Sequence, residues 1–409
     1  MDFTSLLPAL KTMYSREKVE NLSLRKDRLL QKIKKDTEFY GDSLKIVMET
    51  GETNYSSDFA IGQANSTANQ VNALFLTRKT SYSFARLSNE LIRASKNDSG
   101  AFLRLLSVQI DGAFTAQGKK LSMDLMGDGS GVICSVATVG TGSNTGPGGV
   151  VLSTSQIVVD QPTRIATISK GYVFNFSSAG SLVSVSSVPV SAVVSKIDRL
   201  AGIITFTAAV PAGVAAGNGV AVAGTFNAAL SGIPAWVTAT TPAAGDNFYG
   251  LDRSADPVYL AGLRYDGTGQ QLESVIINAV AQLASLGAVE VDCLVVNPLD
   301  KASIDIALGT KIQRIEQKVG EIGFEKTMIN GDNGPIEIMT NVFCKKGEAY
   351  LLTSDTWTLH SAGEAPDFLL TGEGGVVVPN ADQLEIRVGL YGNYSCRAPG
   401  YNCRITLPA

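Results

Sequence analysis

At 409 residues, with a net charge of −4 and 44% hydrophobic side chains, the chain has the make-up of an ordinary globular protein of two or three domains. Its overall field does not demand nucleic acid or a membrane as partner. Five scattered cysteines, Cys134, Cys293, Cys344, Cys396 and Cys403, argue against a secreted disulfide framework and read as reduced thiols of a cytosolic protein.

The N-terminal MDFTSLLPALKTMYSREK carries no apolar core of a signal peptide, and no run reaches ~18 uninterrupted apolar residues, so no membrane span is expected. Residues 16–35 place Val19, Leu22, Leu29, Leu30 and Ile33 at helical spacing, with eight basic against three acidic side chains. They predict an amphipathic helix whose basic face is either solvated or set against phosphate or an acidic partner.

A hairpin is expected next. Leu44, Ile46 and Met48 alternate with polar neighbours, and Leu74, Leu76, Tyr82 and Phe84 share one parity on the return arm. The connecting stretch GETNYSSDFAIGQANSTANQ, residues 51–70, is far longer than a tight hairpin turn. Fixing its backbone costs on the order of 20 kcal/mol or more. Its substantial apolar groups, Tyr55, Phe59 and Ile61, return about 1.5–3 kcal/mol each when buried. The loop is therefore expected to be mobile alone and ordered against another surface.

Residues 99–126 carry a stripe of Leu103, Leu106, Ile110, Phe114, Leu121 and Leu125, a helical rod of roughly 40 Å that stops at the turn GDGSG. Between 129 and 245 only six residues are charged, Asp160, Arg164, Lys170, Lys196, Asp198 and Arg199. Short β-prone runs there alternate with Gly, Pro, Ser and Asn, as in a small sandwich or barrel. An all-β insertion between GDGSG and SGIPAW is the simplest account.

After Ser231 the pattern turns α/β. Leu272, Val275, Ile276, Ala279, Leu283 and Leu286 form a helical face, VDCLVV reads as a strand buried on both sides, and Asn297-Pro298 ends it. Ile304, Leu308, Ile312 and Ile315 predict a second helix, followed by strands at IEIMTNVFC and EAYLLT. In DQLEIRVGLYGNYSC, Leu384, Ile386, Val388 and Leu390 share one face with Glu385 and Arg387 opposite.

Catalytic and ligand-binding motifs fail one by one. His360, the sole histidine, reads as structural, and no G-x-S-x-G elbow is present. GAFTAQGKK spaces Gly112 and Gly118 one residue too far apart for a phosphate loop and puts Lys120 where Ser or Thr should hold magnesium. GNGVAVAG has Val222 in place of the third small residue of a dinucleotide fingerprint. Cys396 and Cys403 are too far apart for a zinc knuckle, and Asp246, Asp252 and Asp256 lack the calcium-loop pattern. No cofactor or metal is expected, and the unusual features are ones of shape.

In this order the features resemble the major capsid protein of tailed bacteriophages, the Hong Kong ninety-seven-like fold, over roughly residues 36–131 and 231–405. The residues that carry the resemblance are the hairpin LKIVMETGETNYSSDFAIGQANSTANQVNALFLTRKTSYSF, the helix Ser99–Met126 closed by GDGSG, the return SGIPAW, LESVIINAVAQL with VDCLVVNPLDKASI, and the late strands NVFCKKGEAYLLTSDTWTL and QLEIRVGLYGNYSC.

The resemblance implies an α+β fold with an N-terminal arm, an E-loop hairpin, a spine helix, a peripheral (P) domain and an axial (A) domain, plus an all-β insertion domain. The implied division is 1–39 for the arm with its basic helix, 40–86 for the E-loop, 87–131 for the P-domain with the spine helix, and 132–229 for the insertion. Residues 230–380 would be the A-domain with P-domain strands, and 381–409 the C-terminal P-domain return.

It implies a non-enzymatic subunit that assembles through hexamers and pentamers into the icosahedral head shell enclosing the phage genome, formed in the host cytoplasm and residing in the virion. A separate scaffolding protein, a portal and a decoration protein would be partners, with no membrane. Tyr55, Phe59 and Ile61 would lie at subunit interfaces. Arg25, Lys26, Arg28, Lys32, Lys34 and Lys35 would face scaffold and then packaged DNA non-specifically. An encapsulin-like nanocompartment shell is the alternative, and a β-rich carbohydrate-binding or enzymatic protein a second one.

Overall fold

The computed structural model describes residues 27–51, 55–66, 70–88, 99–178, 180–185, 188–287, 291–308, 313–315, 326–331, 334–369, 376–377 and 382–408. Asp27 caps the first described helix, Arg28–Lys32, its carboxylate accepting from the backbone N–H of Leu29 at 3.0 Å and Leu30 at 3.4 Å. The basic helix expected over 16–35 does not run to residue 35. Lys34–Asp36 instead form a strand pairing in parallel with Thr358–His360, and residues 16–26 lie outside the described residues. Burial of Leu29, Leu30, Ile33 and Phe39 explains the change, because the segment is a strap packed into the core. The other carboxylate oxygen of Asp27 receives Ser122 Oγ and, at 2.8 Å, Asn341 Nδ2, which ties the strap to the long helix and to the body.

The hairpin pairs Ser43–Gly51 with Gln70–Thr77, placing Leu44 opposite Leu76 and Ile46 opposite Leu74. Ile46, Met48, Leu74 and Leu76 are buried, while Val47, Val71 and Phe75 are exposed on the other face, as a period of two requires. The return arm breaks at Arg78. Lys79–Ser88 then pair with Gln383–Gly392, and here the parity reverses. Ser81 and Ala85 point inward, whereas Tyr82 and Phe84 are exposed, contrary to the expectation that they share the face of Leu74 and Leu76. One residue outside the strands is enough to reset which side chains face the core. The connecting loop is also not structureless. Phe59–Ala64 form a short helix capped by Asp58, whose carboxylate accepts from Ile61 N at 2.9 Å.

The long helix runs Ser99–Leu125, 27 residues or roughly 40 Å. Ile110, Phe114, Gln117, Leu121 and Leu125 are buried along it; the side chains of Leu103 and Leu106 lie outside the description. It packs on the sheet made by Lys79–Ser88, Gln383–Cys396, Trp357–Ser361 and Lys34–Asp36. Ser81 Oγ donates to Gln117 Oε1 at 3.0 Å, and Tyr394 Oη to the Leu121 carbonyl at 3.1 Å. At its end the returning Gly232 passes so close that a Cβ there would lie 2.1 Å from the Asp124 carbonyl oxygen. Only glycine permits that approach.

Residues 132–222 build a closed antiparallel barrel of six strands: Val132–Val139, Gln156–Val159, Ile203–Phe206, Ser191–Asp198, Val173–Ser178 and Gly219–Val222, the last pairing back to the first. Closure leaves no open edges, and Phe174, Phe176, Ile204, Phe206 and Val220 fill the interior.

A seven-stranded mixed sheet follows, in the order Leu263–Asp266, Cys403–Thr406, Glu348–Leu352, Cys293–Val296, Gly334–Thr340, Lys326–Gly331, Gln313–Ile315. Helices Leu272–Ser285 and Pro298–Leu308 cover one face; the hairpin, strap and long helix pack toward the other. Cys293–Val296 is fully buried, as its unbroken apolar run predicts. Three expectations change here. Ile315 belongs to an edge strand and not to the second helix, while Ile312 lies outside the described residues. Cys403–Thr406 joins the mixed sheet, so the chain does not end in the sheet that holds Gln383–Cys396. Glu385 is buried despite its predicted polar face, because Arg86 and Arg387 both reach it at 2.9 Å.

Candidate assembly surface

The hairpin is a two-stranded ribbon packed on the body through Ile46, Met48, Leu74 and Leu76, and its connecting segment carries Tyr55, Phe59 and Ile61 with 99%, 84% and 57% of their surface exposed. The Asp58 cap fixes the start of their short helix, and Ser56 reinforces it by accepting from Asp58 N at 3.2 Å. The chain thus preorganises a turn of backbone while leaving its apolar groups uncovered.

The root of the ribbon is held by Asn393, which is wholly buried. Its Nδ2 donates to the Thr77 carbonyl at 2.9 Å and to Tyr249 Oη at 3.0 Å, and its Oδ1 accepts from Ser231 N at 2.8 Å. The end of the hairpin, the return from the barrel and the longest strand meet at this one amide. Nothing in the sequence marks it beyond an asparagine inside an otherwise regular strand.

The basic residues are not brought together with the apolar ones. Arg25 and Lys26 lie outside the described residues. Arg28 and Lys34 are exposed, and Lys35 is half-buried. Lys32, expected to face scaffold or DNA, is exposed and has its ammonium paired with Asp292 at 3.2 Å and Glu337 at 3.5 Å. Partial burial alone would lower its pKa; Asp292 beside it, with Glu337, outweighs that and holds it above the ordinary value.

A second exposed apolar patch was not apparent from the sequence. Tyr82 and Phe84 stack at 6.4 Å between ring centres, and Tyr391 meets Tyr82 edge-on at 6.0 Å. The alternating YSF carries the signal, with its aromatic face turned to the surface and not to the core.

The remaining polar groups have structural partners. His360 is buried between Asp36 Oδ2 and Ser395 Oγ, each 2.9 Å from a ring nitrogen. Burial lowers its pKa, and the neighbouring Asp36 only partly opposes this. All five cysteines are free and buried, with burial pushing Cys134, Cys396 and Cys403 up to about 12. Asp246 pairs with Arg253 at 2.8 Å, while Asp252 and Asp256 accept from backbone N–H groups two or three residues on. Among the described residues no group of three or more His, Cys, Asp or Glu side chains can hold a metal, and no helix is long and apolar enough to cross a membrane.

Comparison with known proteins gives this architecture a class. The capsid asymmetric unit of cyanophage A-1(L) is similar over 93% of this chain and 91% of its own, with a TM-score of 0.52 at 10% identity. The capsid of a native GTA particle matches 95% of this chain and 91% of its own, with a TM-score of 0.44 at 8% identity. The procapsid of satellite phage P4, described with its size determination (Sid) protein, matches 96% and 99%, with a TM-score of 0.42 at 9% identity. No curated protein matches the sequence. The cyanophage likeness establishes the Hong Kong ninety-seven-like fold of phage capsid shells. Within that class, the family described as SU10 major capsid protein matches residues 210–368. The chain thus has the fold of phage capsid shell proteins, and over residues 210–368 it is similar to that major capsid protein family.

Proposed function

We propose that this subunit builds an icosahedral head shell around a phage genome, through hexamers and pentamers in which the ribbon of one copy lies on its neighbour. The exposed Tyr55, Phe59 and Ile61 at the end of a preformed ribbon carry this reading, because these apolar groups on and beside a capped helix are left uncovered by the described residues. On a neighbouring copy they would contribute about 1.5–3 kcal/mol each. Many such modest contacts allow misplaced subunits to leave before a shell closes.

On this reading residues 40–86 act as the E-loop, 132–229 as an inserted domain, and the mixed sheet with its two helices as the axial domain. Arg25, Lys26, Arg28, Lys34 and Lys35 line the inner side, meeting a separate scaffolding protein first and packaged DNA afterwards by salt-sensitive contacts. Assembly takes place in the host cytoplasm, next to a portal and with a decoration protein on the finished shell. The role is structural and not catalytic.

The double variant Phe59→Ser with Ile61→Ser, expressed beside the wild type and viewed by negative-stain microscopy, tests the reading. Folded subunits that fail to form shells are expected. Normal shells at wild-type yield would refute it.

A further inference from the structure

We propose that the cleft between the inserted barrel and the body of the chain is a binding site for a phosphate group, with Arg164 deep in it and Lys345 at its rim. Neither the fold nor the assembly reading requires such a site, and the inference stands independently of how subunits pack.

Arg164 sits in the tight turn Pro162–Ile165 of the barrel and is only 2% exposed. A guanidinium carries five N–H donors and stays charged at any accessible pH. Among the described residues this one makes a single hydrogen bond, from Nη2 to the Met126 carbonyl at 3.2 Å, and its Nε is buried without a partner. No described carboxylate forms an ion pair with it. A buried cation without an ion pair costs several kcal/mol, and among the described residues no carboxylate is hydrogen-bonded to this one.

The surroundings explain what would. Arg164 lines a cleft of about 430 Å³ together with Arg253, Lys345 and Arg404, faced by Asp128 and Asp160. Arg253 and Arg404 are already paired. Arg253 pairs with Asp246 at 2.8 Å and Arg404 with Glu348 at 2.6 Å. Asp160 accepts from Ser135 N at 2.7 Å and Asp128 from Ser130 N at 3.0 Å. Lys345 is exposed and forms no ion pair among the described residues, so Arg164 and Lys345 are the two cations of the cleft without an ion pair, with Asp128 and Asp160 sharing the cleft with them.

The two are held near each other by cross-domain hydrogen bonds. The backbone N–H of Lys346 donates to Gln161 Oε1 at 3.0 Å, and Asn297 Nδ2 to Thr163 Oγ1 at 3.2 Å. These fasten the body's 344–347 turn onto the barrel's 161–164 turn. A planar fork in the depth and a mobile ammonium at the opening suit an oxyanion with several acceptor oxygens. The volume admits a free phosphate and also a phosphate carried on a nucleotide.

Isothermal titration of the protein with inorganic phosphate, at ionic strength held constant with chloride, tests the site. The wild type is expected to show one saturable site per chain. Lys345→Ala is expected to weaken it about tenfold or more, as loss of a charged hydrogen bond does, and Arg164→Gln to abolish it. Circular dichroism and melting establish that each variant is folded; should Arg164→Gln not fold, the rim variant decides alone. Absence of saturable binding in the wild type, or an unchanged affinity in Lys345→Ala, overturns the proposal. A short single-stranded oligonucleotide added as competitor identifies the source: displacement of phosphate points to a nucleic-acid backbone, and lack of displacement to the free ion.

Discussion

Replacing Asn393 by Ala removes the amide that joins the ribbon, the return from the barrel and the longest strand. Two buried N–H groups lose their acceptor, those of Ser231 and Tyr394, whereas the carbonyl of exposed Thr77 turns to water and Tyr249 Oη keeps Ser231 Oγ at 2.6 Å. Each stranded group costs about 1–2 kcal/mol, and the small cavity left behind adds about 1 kcal/mol, so a total of about 3–5 kcal/mol is expected. Denaturant unfolding of unassembled subunits gives the value directly, with Trp236 and Trp357 as probes because both are buried. The ribbon's direction depends on the same amide, so shells formed by the variant should also be fewer. A loss below about 1 kcal/mol would show that water or a rearranged Ser231 replaces the amide, and the junction argument would fail.

Gly232→Ala should cost about 3 kcal/mol or more, or prevent folding, because its Cβ would meet main-chain oxygens of the long helix at 2.1 and 2.2 Å; a circular-dichroism melt close to wild type would contradict this. The folded pKa of His360 lies below its ordinary 6.5, so the unfolded chain takes up the proton first and stability is lost as pH falls below that value. Unfolding free energies measured between about pH 7 and pH 5 should therefore fall more steeply for wild type than for His360→Gln. All five thiols should resist a chromogenic disulfide reagent in the native protein and react once it is unfolded, since each is buried; reaction of any one in the native state would place that cysteine wrongly.

What was legible in the sequence was whatever has a period or a composition. The rod at 99–126 matches the helix Ser99–Leu125, because its apolar stripe repeats with the helical turn. VDCLVV is the strand Cys293–Val296, buried on both faces, and the arms of the hairpin carry their alternation into the structure. In the charge-poor stretch after GDGSG, short strands separated by Gly and Pro close into the barrel. These are local signals: hydrophobic spacing and turn residues act over a few positions, and tertiary packing has no reason to oppose them.

Partners distant in the chain were beyond such signals. Lys32 looked like part of a basic face until Asp292 and Glu337 arrived beside it from another element. Tyr82 and Phe84 kept the parity of Leu74 and Leu76 on paper and lost it at Arg78, where the chain changes from one sheet to another. The final strand joined the mixed sheet because Leu263–Asp266 and Glu348–Leu352 left a gap between them for it to fill. Asn393 and Arg164 are ordinary residues in the sequence, and only the meeting of three segments around one and the buried Nε without a partner among the described residues on the other give them their importance. Periodic burial is a property of neighbours along the chain. Hydrogen-bond satisfaction and charge pairing are properties of neighbours in space, and only the folded arrangement decides those.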